Sequence, residues 1–354
     1  MHRRWLRILI CLLAGAIALL PQRKKNEEPK TQVLPLPPDL PMAVAANTRA
    51  LDFHISPLLK AGRLSAQIRQ SLTDLIRDTR GETIIKLRAF VSGAGDARRV
   101  QDAVSELFTD RKLPLPAVSV LQVGALADDA AQVVIEAVVD TKHTPNPNGL
   151  AFWSGQTAPS FPVALQKLES SVETAAVPPD NVLTCTCFTS SMRDAGGMRA
   201  SIQRAFPKTE INVVQALREP YDNTSSCEAV GKLPVAPAQG PVVLLADSRA
   251  ALVNSDRLIF TGMQLTFGNY LDDADVAYHR LERAAKALDP IETPVVLNVF
   301  SLDASTASAL RKTLHFPHST FTVQPIEGLP AIDASAGIEA VLAANVDNSA
   351  VLER

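Results

Sequence analysis

Apolar residues recur along this chain with two alternating periods. Leu64, Ile68, Leu72, Leu75 and Ile76 fall at helical spacing, and Ile85, Leu87, Ala89 and Val91 then alternate as in a strand. A second helical stripe follows at Val100, Val104, Leu107 and Phe108, and two strands are predicted over Ser119 to Val123 and Gln132 to Val139. The same succession returns with Leu165, Leu168 and Val172, the strand Val182 to Phe188, the stripe Met198, Ile202 and Phe206, and the strand Ile211 to Val214. It returns once more with Val276, Leu281, Ala285 and Leu288, the strand Val295 to Phe300, and the stripe Ala307, Leu310 and Leu314. An aromatic-bearing strand precedes each first helix, at Leu51 to Ser56, Leu150 to Gln156 and Leu258 to Gln264.

A tetrapeptide closes each round: Ile135-Glu136-Ala137-Val138, Cys227-Glu228-Ala229-Val230 and Ile338-Glu339-Ala340-Val341, spaced by 92 and 111 residues. Short strands alternating with helices predict an α+β unit, a sheet with two helices on one face, present three times. The repeats are placed at residues 42–142, 143–236 and 237–346, after a leader at 1–22 and a linker at 23–41, with a tail at 347–354.

Within this frame the chain resembles the RidA/YjgF family, also called endoribonuclease L-PSP-like. Leu150-Ala-Phe-Trp-Ser-Gly-Gln156 is similar to the family's first strand, L-x-F-x-S-G-Q, and Leu258 to Gln264 approximates it. Ala66 to Leu75 and Ile84 to Phe90 are similar to the family's Q-x-R-Q-x-L-x-N-L helix and V-V-K-x-x-V-F strand, and Ile-Glu-Ala to its last strand. The resemblance covers about residues 42 to 345. It implies three tandem chorismate mutase-like units forming an intramolecular pseudo-trimer, with ligand clefts between neighbouring repeats and a monomeric chain.

It also implies where chemistry belongs. Enzymatic members use an Arg that binds the substrate carboxylate and a last-strand Glu that positions water. Counting eight residues back from Leu126, Leu217 and Leu329 reaches Val118, Thr209 and Phe321 as the cleft positions, and none is Arg. A bidentate guanidinium–carboxylate contact fixes orientation and contributes roughly 1.5–3 kcal/mol. Imine deamination is therefore not expected, and a small-molecule ligand at the clefts is the leading reading. A small-metabolite hydrolase or deaminase with remodelled clefts is the alternative. Glu136, Glu228 and Glu339 are the candidate catalytic residues: a carboxylate in an apolar strand must find a donor or reach a cleft. Each is either a base facing ligand or an inherited Glu hydrogen-bonded to backbone.

Composition narrows the partners. A formal net charge of −2 offers no field for nucleic acid, so no nucleic-acid partner is expected. Arg3, Arg4 and Arg7 precede an apolar run from Ile8 to Leu20, the order of an export signal or a membrane anchor, which puts the domains outside the cytoplasm, in a periplasm or tethered at its membrane. Pro21 to Pro41, with six prolines, reads as a linker, so the membrane is met only through the N-terminal segment. Cys185 and Cys187 face one side of a strand and Cys227 stands apart; core thiols, a disulfide to Cys227 and a metal pair are all open to them. No metal and no cofactor is expected. His315 and His318 are read as loop residues, the Asp272, Asp273 and Asp275 cluster as a helix first turn, and Asn223-Thr-Ser225 as a sequon relevant only in a glycosylating host.

Overall fold

The computed structural model describes residues 38–93, 96–218, 224–245, 249–267, 270–289, 292–302, 310 and 319–344. The leader, most of the linker, the pair His315 and His318, Asn223, Ala307, Leu314 and the tail lie outside these residues. No helix of the described residues is long and apolar enough to cross a membrane.

The first part of the chain runs β1 (Ala43–Asn47), β2 (Leu51–Ile55), α1 (Leu64–Asp78), β3 (Thr83–Ser92), α2 (Arg98–Asp110), β4 (Ala117–Val123), β5 (Ala125–Leu126) and β6 (Val133–Asp140). The second runs β7 (Leu150–Ala158), α3 (Phe161–Thr174), β8 (Val182–Thr189), α4 (Ala195–Ala205), β9 (Glu210–Gln215) and β10 (Ser225–Lys232). The third runs β11 (Val242–Leu244), β12 (Ala250–Val253), β13 (Arg257–Thr261), β14 (Gln264–Phe267), α5 (Tyr270–Lys286), β15 (Glu292–Ser301), β16 (Thr320–Pro325) and β17 (Ala334–Ala344). The architecture is mixed α+β, with three sheets and five α-helices among the described residues.

One topology recurs. Its strand order is β2-β6-β3-β4 in the first sheet, β7-β10-β8-β9 in the second and β13-β17-β15-β16 in the third. In each, the first two pairings are antiparallel and the last is parallel. The registers also coincide: Glu136 stands opposite Arg88, Glu228 opposite Thr186 and Glu339 opposite Asn298. A bulge recurs three residues earlier on the middle strand, where Ile85, Leu183 and Val295 are skipped by the partner strand. Two chance folds would not place an unpaired residue at the same step.

Strands are shared across the predicted repeat boundaries. β1 pairs with β13, β5 pairs with β9, and β11 and β12 extend the second sheet through β7. The chain is therefore stitched at the seams as well as packed there.

Period-two alternation gives every sheet two apolar faces. One packs on the helices: Ile68, Leu72, Val100 and Phe108 close over Leu87, Ile135 and Val139 in the first repeat. In the third repeat Leu281 and Ala285 are buried as expected, whereas Val276 and Leu288 are exposed and α5 buries Ala274 and Ala277 as well. Asp273 and Asp275 fall within the first two turns of that helix.

The other faces turn toward one another. Phe53, Phe152 and Phe260 share one cluster drawn from all three sheets, and Phe90, Phe188 and Phe300 share another. Burying each Phe contributes roughly 1.5–3 kcal/mol. Close approach at a seam explains one glycine: Gly155 N donates to Thr322 Oγ1 at 2.7 Å, and a Cβ there would lie 2.3 Å from Ser226 Oγ.

Cys187 and Cys227 are directly opposed on β8 and β10 and form a disulfide, while Cys185 is a buried thiol whose pKa burial pushes far above the usual range. Closing a loop of 40 residues is worth about 2–4 kcal/mol. Cys227→Ser is therefore expected to lower unfolding free energy by that amount in urea titrations under oxidising conditions, and to leave the reduced protein's midpoint almost unchanged. Equal oxidised midpoints for the two proteins would mean the bond does not form.

Candidate functional site: a cavity where three sheets meet

The inward faces enclose a cavity of about 110 Å³. Five register positions line it, each contributed once by every repeat. Phe53, Phe152 and Phe260 come from the first strands; Lys86, Thr184 and Val296 follow the bulge on the middle strands; Arg88, Thr186 and Asn298 lie two residues on. Glu136, Glu228 and Glu339 come from the last strands, followed two residues later by Val138, Val230 and Val341. Alternation dictates this: Glu136 shares its face with Val138, whereas Ile135 and Ala137 point to the helices.

The three carboxylates meet around one guanidinium. Arg88 Nε donates to Glu136 Oε2 at 2.8 Å, Nη1 to Glu339 Oε1 at 3.3 Å, and Nη2 to Glu228 Oε1. Arg88 also stands 5.3 Å from the centre of the Phe90 ring. Lys86 Nζ donates to Ser119 Oγ at 2.5 Å, to the carbonyl of Thr261 at 2.6 Å and to Glu339 Oε2 at 2.8 Å. Two cations thus face three carboxylates.

Burial and charge oppose each other here. Burial works against the Arg88 charge, but Glu136, Glu228 and Glu339 outweigh it and hold its pKa well above the usual value. Burial pulls Lys86 down despite Glu339. Burial would raise Glu339, but Lys86 and Arg88 prevail and hold it at about 2. For Glu228 burial wins over Arg88, and its pKa is raised.

All three glutamates reach the cavity between repeats, and each accepts from side chains of another repeat, Glu228 from Arg88. Glu136 accepts from Thr186 Oγ1 at 2.5 Å and Asn212 Nδ2 at 2.7 Å, and Glu339 accepts from Lys86 and Arg88.

Val118, Thr209 and Phe321 do not line this cavity. Val118 is buried in the helix-facing core of the first repeat, its carbonyl accepting from Met263 N at the seam with the third. Phe321 packs beside the corresponding core of the third repeat. Thr209 precedes β9, its hydroxyl donating to the carbonyl of Glu210. Thr209 is also not the equivalent position: Val118 pairs with Leu87 and Phe321 with Leu297, but Ile211 pairs with Cys185. The stretch from Ile211 to Leu217 is two residues shorter than that from Val118 to Leu126, so counting back eight overshoots. Ile211 is not Arg either.

A separate cleft of about 540 Å³ lies at the seam of the first and second repeats, lined among others by Ser56, Lys60, Asp128, Arg199, Glu210 and Asn212. Lys60 pairs with Asp128 at 2.9 Å, and Arg199 Nη1 donates to the carbonyl of Ile211 at 2.9 Å. Burial raises the Glu210 carboxyl, with His54 opposing.

No family model matches the chain, and no curated protein matches it. Among solved structures it is similar to a chorismatase at 11% identity, covering 83% of this chain and 99% of that one, with a TM-score of 0.26. It is similar to the cyanuric acid hydrolase from A. caulinodans at 11% identity, covering 86% and 100%, with a TM-score of 0.23. An uncharacterised protein from Pseudomonas aeruginosa matches 29% of this chain over 99% of its own length, at 13% identity and a TM-score of 0.23. At such scores the likeness carries no argument, and the threefold architecture rests on the recurring registers.

Proposed function

We propose that this chain is an exported RidA-like protein, an intramolecular pseudo-trimer that binds a small metabolite where its three repeats meet and does not hydrolyse imines. The carrying observation is that all three last-strand glutamates contact Arg88 at the cavity centre, so none is left unpaired as a general base. Val118, Ile211 and Phe321 at the equivalent strand position supply no carboxylate-binding guanidinium, which agrees with this reading. The Cys187–Cys227 disulfide is of the kind that persists in oxidising compartments and supports export. One chain supplies all three walls of the cavity, so a monomer suffices.

The full-length chain, given 2-aminoacrylate-type imines, is expected to release ammonia no faster than buffer. Turnover that disappears in Glu136→Gln, Glu228→Gln or Glu339→Gln would overturn the non-catalytic reading. The seam cleft favours a second reading, a small-metabolite hydrolase, because a partly buried Glu210 with a raised pKa lies there beside Asn212. Turnover sensitive to Glu210→Gln alone would point to it.

A further inference from the structure

The cavity's near-threefold symmetry is broken at one corner. Hydrogen bonds across the seams follow a rule in which the middle strand of one repeat reaches the last-strand glutamate of its neighbour. Thr186 of the second repeat bonds Glu136 of the first, and Lys86 and Arg88 of the first bond Glu339 of the third. The rule calls for Val296 or Asn298 of the third repeat to bond Glu228 of the second. Val296, which occupies the place of Lys86, has no donor. Asn298 Nδ2 turns instead to Glu339 Oε1 at 3.4 Å, and its buried Oδ1 has no partner among the described residues. Thr322, in the place of Asn212, accepts from Gly155 N. Among the described residues Glu228 accepts only at Oε1, from Arg88, which leaves Oε2 open.

Two acceptors are thus unmatched at a corner where the other two corners have donors. Lys86 and Arg88 face three glutamates, one carboxylate in excess, and His54, which also lines the cavity, is paired with Asp52. The cavity is also lined by the apolar side chains of Phe53, Phe152 and Phe260 and of Val138, Val230 and Val341. Such surroundings repel a carboxylate and favour a donor that carries positive charge and an apolar tail.

Resting on the binding reading above, we propose that the ligand is a small primary alkylamine, whose ammonium donates to Glu228 Oε2 and Asn298 Oδ1 while its tail packs on the three Phe rings. A cavity of ~150 Å³ holds benzene, so 110 Å³ fits roughly four or five non-hydrogen atoms. The ammonium takes the place that a lysine at position 296 would take by the symmetry of Lys86.

The test is calorimetric titration of the full-length chain at neutral pH with n-butylamine, n-butanol and butyrate. Saturable binding of butylamine is expected, with butanol weaker and butyrate silent. Glu228→Gln, which keeps the shape and removes the charge, is expected to weaken butylamine by about tenfold or more. Val296→Lys supplies a tethered ammonium and is expected to abolish butylamine binding while raising the melting temperature, an outcome that a misfolded variant would not give. If butanol or butyrate binds as tightly as butylamine and Val296→Lys blocks it, the cavity remains a binding site but the amine class is wrong. If none of the three gives saturable heat, the binding reading falls and this inference with it.

Discussion

Arg88→Met is expected to destabilise the protein by about 3–5 kcal/mol at neutral pH, because removing one partner of a buried ionic network leaves uncompensated charge. Met preserves most of the volume, so the loss reports charge rather than a cavity. Lys86 alone would then face Glu136, Glu228 and Glu339, and it touches only Glu339. The pH dependence should change as well: in the native protein Glu339 opposes Glu228, which burial raises and which already favours lower pH. In the native protein Glu339 titrates at about 2 instead of 4.5. Its contribution, ~3 kcal/mol from a shift of this size, is present above 4.5 and lost as pH falls toward 2. In Arg88→Met the folded carboxylates bind protons more tightly than the unfolded ones, so stability should rise as pH drops from 7 to 5. Urea midpoints at pH 7, 5 and 4 measure both effects. A loss under 1 kcal/mol, or the same pH slope in both proteins, would show that the cluster is not held as described.

Phe188→Ala carries the second large effect. Phe188 lies 5.9 Å from Phe90 and 6.4 Å from Phe300, ring centre to ring centre, so one ring from each repeat meets in a shared apolar cluster. All three are nearly inaccessible to solvent. Truncation is expected to cost about 3–5 kcal/mol. Because the cavity opened is shared, calorimetry should still show one unfolding transition at lower temperature, shifted similarly by Phe90→Ala and Phe300→Ala. Separate transitions for the three repeats would contradict a common core.

Most helices and strands were legible because their apolar periods are strong: Leu64 to Ile76 marks α1 and Ile85 to Val91 marks β3 within a few residues. The tetrapeptides fixed the last strand of each repeat. Two kinds of feature escaped. The stripe of α5 is right at Leu281 and Ala285 but not at Val276 and Leu288, because Ala274 and Ala277 complete the buried face and small side chains give a weak periodic signal. Strand sharing by β1, β5, β11 and β12 depends on contacts far apart in sequence, which local alternation does not encode.

At the site, the glutamates were found from sequence and their destination was not. Period two says that Glu136 leaves the helix-facing side, but not that Glu228 and Glu339 arrive at the same point. Lys86 and Arg88 carried a usable signal: two basic residues, two apart, on one face of an apolar strand must be paired when buried. Only the register, which sets Arg88 opposite Glu136, makes that pairing explicit. The misplacement of Thr209 has a simpler cause, a turn two residues shorter in the second repeat.

Double-mutant cycles between Arg88→Met and each of Glu136→Gln, Glu228→Gln and Glu339→Gln test most directly whether three distant segments share one guanidinium. The pairs are separated by 48, 140 and 251 residues in sequence. Coupling above about 0.5 kcal/mol is expected in all three cycles. Additive effects for Glu228 and Glu339, with coupling confined to the neighbouring Glu136, would contradict the convergence of the repeats on a single centre.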